Sequence, residues 1–125
     1  MAIGAKMAKP EKHVINIMGD AAFGMAGLDI ETSVRSGNPI TTIVLDNGTM
    51  GGYDHHQPVA MSKYGAGNMT GSYTTIAKGL GAVGINVEKP EEIVPAIKAA
   101  EKANKEGKSV LINVKTKQED KFSIY

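Results

Sequence analysis

The sequence predicts an α/β domain: a parallel sheet forming the middle of three layers, with helices on both faces. Three observations carry that prediction. Four short runs, His13–Met18, Ile40–Leu45, Val83–Val87 and Val110–Val114, are rich in β-branched residues. A stretch of helical length separates each run from the next, as a crossover between parallel strands requires. The chain has 125 residues, enough for one domain that buries roughly two-thirds of its surface.

Taken in order, the first strand, His13–Met18, ends at Gly19-Asp20. A helix is expected over Met25–Ser36, with Met25, Leu28, Ile30 and Val34 apolar and Asp29, Glu31 and Arg35 charged, stopped by Gly37-Asn38-Pro39. Ile40–Leu45 has no polar alternation beyond threonine, which suits a strand covered on both sides. Asp46–Gly71 is rich in Gly, His, Pro and Asn and is expected to be a long functional or mobile loop, with a short helix near Met61–Tyr64. Ser72 is a candidate N-cap for a helix running to Leu80. Pro90 opens a further helix, Glu91–Asn104, in which Pro95 should cause a bend. Gly107 closes the connection to Val110–Val114, and the charged tail Lys115–Tyr125 is expected on the surface. The order is β-α-β-loop-α-β-α-β, one domain over 1–125, without an internal repeat.

Composition narrows the function. Fourteen basic and thirteen acidic residues leave a net charge of +1, so electrostatics argue for neither a nucleic-acid nor a membrane partner. Cysteine is absent, which removes disulfides, thiolate catalysis and cysteine-held metal clusters. No apolar stretch approaches the roughly 20 residues of a membrane span. The opening residues Met1–Ala8 lack the apolar run of a secretory signal, so a cytoplasmic location is expected.

Ligands of parallel sheets sit beyond the carboxyl ends of the strands. Two strand ends stand out there, Gly19-Asp20 and Asp46-Asn47. Ala21 and Ala22 are small and lead into a helix, so their N–H groups can approach a phosphate. The carboxylate of Asp20 would repel that phosphate unless a cation lies between them, and Mg²⁺ is the natural choice because it takes oxygen ligands and keeps phosphate oxygens in its shell. Asn47 supplies a second oxygen from the next strand end, and the Thr49 carbonyl a third, with Gly48 allowing the turn. Gly19, Asp20, Ala21, Ala22, Asn47, Thr49, Met50 and Gly51 form the candidate cofactor set, with Asp20, Asn47 and Thr49 as metal ligands.

Gly19-Asp-Ala21, followed by Asp46-Asn47, resembles the thiamine diphosphate motif, Gly-Asp-Gly or Gly-Asp-Ala and then Asn-Asn or Asp-Asn some two dozen residues on. Ile3-Gly-Ala-Lys6, Gly19-Asp-Ala-Ala-Phe-Gly-Met25, Glu31-Thr32, Ile43-Val-Leu-Asp-Asn47 and Lys89-Pro-Glu-Glu-Ile-Val-Pro-Ala-Ile97 extend the likeness to nearly the whole chain. It is similar to the carboxyl-terminal cofactor domain of the acetolactate synthase-like family. The resemblance implies thiamine diphosphate and Mg²⁺ as cofactors. It implies ligation of the ion at Asp20, Asn47 and the Thr49 carbonyl, and diphosphate contacts at Ala21 and Ala22. It implies a 2-oxo acid substrate for a carboligase or decarboxylase, and a homo-oligomer. It also implies a pyrimidine-binding domain as partner, carrying the glutamate that activates the cofactor, and an apolar Gly-x-Met-Gly segment upstream of Met1. On that reading the cofactor fold is cut short at its amino end and the chain is not a whole enzyme.

Where acetolactate synthases usually carry Glu-Glu-Gln-Gly-Met and then Trp, this chain has Gly48-Thr-Met-Gly-Gly52 and then Tyr53-Asp-His-His56, so the residues that shape the substrate pocket differ. A split decarboxylase or oxidoreductase subunit shares the cofactor class, and a non-catalytic nucleotide-binding or interaction module is the rival from another class. Gly79-Leu-Gly-Ala-Val-Gly84 matches a dinucleotide fingerprint but ends a helix and opens a strand, the reverse of the context that fingerprint needs; Gly79 or Gly81 reads instead as a helix cap. His55-His56 are neighbours whose side chains would diverge in an extended loop, so they make a poor metal site. His13 reads as structural, and Met18 and Met25 as core filler.

Overall fold

The computed structural model describes residues 1–118, which leaves the end of the charged tail outside the described residues. Its elements are α1 (Ala2–Ala8), β1 (Ile15–Gly19), α2 (Asp20–Ala26), α3 (Asp29–Arg35), β2 (Thr41–Asp46), α4 (Tyr53–His56), α5 (Pro58–Tyr64), α6 (Tyr73–Gly79), β3 (Val83–Val87), a 3₁₀ turn (Pro90–Glu92), α7 (Ile93–Lys105) and β4 (Val110–Lys115). The four strands form one parallel sheet in the order β1-β2-β4-β3. Among the described residues no helix is long and apolar enough to cross a membrane.

Alternation along the strands sorts the core onto two faces. One rung of the sheet runs Ile17, Ile43, Ile112, Ile85. On that face Ile43, Val110, Ile112 and Val87 pack against Ala96 and Ala100 of α7. On the other face Val44 and Leu111 pack against Phe23, Ile30, Tyr73 and Ala77 from α2, α3 and α6. Burying each large aliphatic side chain contributes roughly 1.5–3 kcal/mol, so the three layers are held chiefly by these contacts. Gly84 marks where α6 comes closest to the sheet: a Cβ there would lie 2.7 Å from the Thr74 carbonyl oxygen.

Hydrogen bonds pin the amino-terminal edge of the sheet. Thr41 donates from Oγ1 to Asn104 Oδ1 at 2.9 Å and lies 2.8 Å from His13 Nε2, while Asn104 Nδ2 donates to the carbonyls of Ile40 and Lys108. His13 is therefore the structural histidine expected. Gly81, with φ +87°, closes α6: its N–H meets the Lys78 carbonyl and the Ala82 N–H meets the Ala77 carbonyl. That pair of bonds is the glycine-capped helix end that explains the glycine-rich stretch without a dinucleotide. Ser72 caps the start of α6, its Oγ accepting from the Thr75 N–H.

Several expectations need correction. The helix expected over Met25–Ser36 is two helices that begin at Asp20 and break at Gly27-Leu28. The ring of Phe23 folds against Gly27, where a Cβ would sit 2.6 Å from it, so the chain turns there without a side chain. Met25 is 76% exposed and fills no core, whereas Met18 does pack against the first cluster. The loop expected over Asp46–Gly71 is largely folded: it holds α4 and α5, and Thr49 bridges Asn68 at its base. Pro58 at the first position of α5 is the signal for a helix longer than Met61–Tyr64. His55 and His56 lie on helical backbone, not extended, and their rings meet edge to face at 5.2 Å. Pro95 is the third residue of α7, in the first turn where its missing N–H has no partner to lose, so no bend is required. α1 has no counterpart among the expected elements; buried Lys6 anchors it by donating to the carbonyls of Pro10 and Lys12, each at 2.8 Å.

Candidate functional site

The candidate residues converge at the carboxyl edge of β1 and β2. Gly19 pairs with Leu45 in the parallel register, so Asp20 and Asp46 each directly follow the last rung of the β1-β2 ladder. Asp20 starts α2 and is 2% exposed. Its Oδ1 accepts from the Ala21 N–H and its Oδ2 from the Gly48 N–H, both at 2.8 Å. Asn47 follows β2 directly, and its Oδ1 accepts from the Thr49 N–H at 3.0 Å, a side-chain turn that Gly48 completes with φ +73°.

The bridge behind this turn uses the Gly48 carbonyl, which accepts from Met69, and the Met50 N–H, which donates to Gly67. Thr49, buried, donates from Oγ1 to Gly67 at 3.3 Å; its own carbonyl accepts no bond among the described residues. Met50 is half-buried and Gly51 exposed, at the start of the arm that carries α4 and α5. Ala21 and Ala22 lie in the first turn of α2, with Gly19 as its cap residue in extended conformation.

Three further residues lie beside this edge. Asp46, 4% exposed, is paired with Lys115 and accepts from Asn113 Nδ2 at 3.1 Å. Tyr73 is buried, and among the described residues its hydroxyl has no partner; nor has Asn113 Oδ1. The Tyr73 ring stands edge-on to Phe23, with centroids 5.1 Å apart. Burial pushes the Tyr73 phenol above its ordinary value, and the charges of Asp20 and Asp46 push it the same way. In the sequence Asp46 stands out only as the neighbour of Asn47, and its partners lie far along the chain, so no spacing rule joins them. Among the described residues no group of three His, Cys, Asp or Glu side chains forms a metal cage.

A parallel sheet with small residues and oxygen donors gathered at its carboxyl edge is the layout of α/β proteins that hold a phosphorylated cofactor beyond their strand ends. Residues 1–114 match the family described as "Thiamine pyrophosphate enzyme, C-terminal TPP binding domain", and the chain belongs to that family. It is 37% identical over 115 residues to a sulfoacetaldehyde acetyltransferase of Alcaligenes xylosoxydans xylosoxydans, covering 90% of this chain and 19% of the relative. It is 34% identical over 110 residues to the acetolactate synthase large subunit of Corynebacterium glutamicum, covering 82% of this chain and 18% of the relative. The chain thus spans about a fifth of the length of these curated relatives. Among solved structures it superposes on a thiamine diphosphate-dependent 4-hydroxybenzoylformate decarboxylase of Rhodococcus jostii RHA1 with a TM-score of 0.79 and 25% identity, covering 96% of this chain and 23% of that one.

Proposed function

We propose that this domain anchors thiamine diphosphate through Mg²⁺, as the cofactor-holding part of an acetolactate synthase-like carboligase or decarboxylase acting on a 2-oxo acid. The observation that carries the reading is the buried Asp20 carboxylate, tied to the turn after β2 through Gly48 yet without a cationic partner among the described ion pairs. A buried carboxylate is costly unless a cation answers it.

The residues fit the group on three counts. Asp20, Asn47 and the free Thr49 carbonyl offer oxygen alone, the donor chemistry of Mg²⁺. One carboxylate with two neutral oxygens is too weak a set to act as a cage by itself, which suits an ion shared with phosphate oxygens. Gly19 has φ −77°, and a Cβ there would meet nothing within 4 Å. Neither backbone strain nor contact within the chain accounts for glycine at 19, so open space remains where a diphosphate would approach Ala21 and Ala22.

When bound, thiamine diphosphate supplies the ylid that adds to a carbonyl carbon and stores the resulting carbanion. This chain's residues act at the other end of the cofactor. Asp20 and Asn47 orient the ion, the first-turn N–H groups of α2 orient the phosphates, and Met50 and Gly51 border the same cleft. The pyrimidine end and the glutamate that activates it are assigned to a further domain, in a homo-oligomer, in keeping with the greater length of the relatives.

Calorimetry with thiamine diphosphate tests the reading. Binding should require Mg²⁺, and neither NAD nor ATP should replace the cofactor. Equal heats with and without Mg²⁺, or preferential binding of a nucleotide, would overturn it.

A further inference from the structure

Asp46 has a role that the cofactor motif leaves open. Asp20 and Asp46 each directly follow the last rung of the β1-β2 ladder, where Gly19 lies opposite Leu45. Both are almost fully buried, and both charges bear on the Tyr73 hydroxyl. Their surroundings differ. Asp46 is paired with Lys115 and bonded to Asn113, whereas among the described residues Asp20 accepts only backbone N–H groups. Lys115 sits on the last rung of β4, directly opposite Asp46 in the register, and is itself 58% exposed at the rim. Two uncompensated buried carboxylates at neighbouring strand ends would form an acidic pair able to capture a divalent ion unaided. One carboxylate would not.

We propose that Lys115 is a positioning residue: its ammonium is the built-in counter-charge of Asp46, and it leaves Asp20 to bind a divalent cation only together with the diphosphate. The inference rests on the cofactor reading given above and adds to it a reason for the order of loading. Lys115 makes the empty site close to neutral apart from Asp20, so a free cation gains little there. The ion acquires enough oxygen ligands only when the phosphates arrive. Lys115 touches neither ion nor cofactor and acts through Asp46.

Titration of Mn²⁺ into the 125-residue chain, with free ion read by electron paramagnetic resonance, tests this with and without thiamine diphosphate. Lys115→Met should bind Mn²⁺ in the absence of diphosphate at least about ten-fold more tightly than the wild type. Asp46→Asn leaves the ammonium unanswered and should act in the opposite sense, weakening Mn²⁺ binding in the presence of thiamine diphosphate by about ten-fold. The double variant should return toward wild type, and Lys115→Arg should match it. Opposite signs for the two single variants are not expected of damage to the fold, which would weaken binding in both. Should Lys115→Met fail to fold, Lys115→Gln carries the same prediction. Identical diphosphate-free affinities for wild type and the folded Lys115 variant overturn the counter-charge role. A wild type that binds no Mn²⁺ with thiamine diphosphate overturns the cofactor reading instead, so the two failures are told apart.

Discussion

The Asp20 carboxylate accepts the N–H of Gly48 at 2.8 Å, between positions 28 apart in the chain. This bond joins the end of β1 to the turn after β2 and makes one bracket of two motif halves. Because Asp20 is both a structural acceptor and the proposed ion ligand, its removal should be felt in two separable ways.

Asp20→Ala should abolish the Mg²⁺-dependent part of thiamine diphosphate binding while the chain stays folded. It also strips an acceptor from the Gly48 N–H, at a cost of about 1–3 kcal/mol in stability. Calorimetry and thermal melting read the two effects independently. Unchanged cofactor affinity in a folded Asp20→Ala chain would remove Asp20 from the ion's shell.

At the opposite edge of the sheet, pH should control stability through His13. Burial pushes its imidazole below the ordinary value of 6.5; Glu101 pulls it back, and Lys6 and Lys105 add to the lowering. The folded chain therefore holds this proton less tightly than the unfolded chain. The stability tied to neutral His13 is complete above pH 6.5 and is lost as pH falls from there through the lower folded value. The melting temperature should fall as pH drops below 6.5, and His13→Gln should flatten that slope. Equal slopes for the two proteins would show that another group titrates.

Hydrogen exchange should divide the arm between β2 and α6 into two parts. Gly48 to Met50 and Gly67 to Met69 are tied by the Thr49–Asn68 bridge and should be protected. Gly51 to Gln57 is mostly exposed and includes the short helix α4, so it should exchange rapidly in the cofactor-free chain. Strong protection across Gly51–Gln57 would mean that this segment packs more tightly than its exposure implies.

The 125-residue chain should turn over neither pyruvate nor oxaloacetate. Activation of the cofactor needs a carboxylate at its pyrimidine, which the family resemblance assigns to another domain. Three glutamates among the described residues are poorly placed to supply it. Glu11 precedes β1, Glu31 is paired with Arg35 on α3, and Glu92 bonds the backbone of Glu88 and Lys89. Steady decarboxylation by the purified chain would place the activating group within these residues.

The sequence by itself determined the four strands, the presence of helices between them and the positions of Gly19-Asp20 and Asp46-Asn47. These are local matters: β-branched runs, helical spacing and turn residues act over a few positions and can be read in one dimension. Tertiary structure decided the rest. That Gly27 splits a helix depends on where the Phe23 ring folds, and that 46–71 is largely structured depends on a bridge between Thr49 and Asn68. Whether a buried carboxylate is answered by a cation depends on which strand lies beside it. The pairing of Asp46 with Lys115 arises because β4 inserts between β2 and β3. Strand order is set by packing across the whole sheet, so no local pattern could have announced that Asp46 is paired with Lys115 while Asp20 is held by backbone N–H groups.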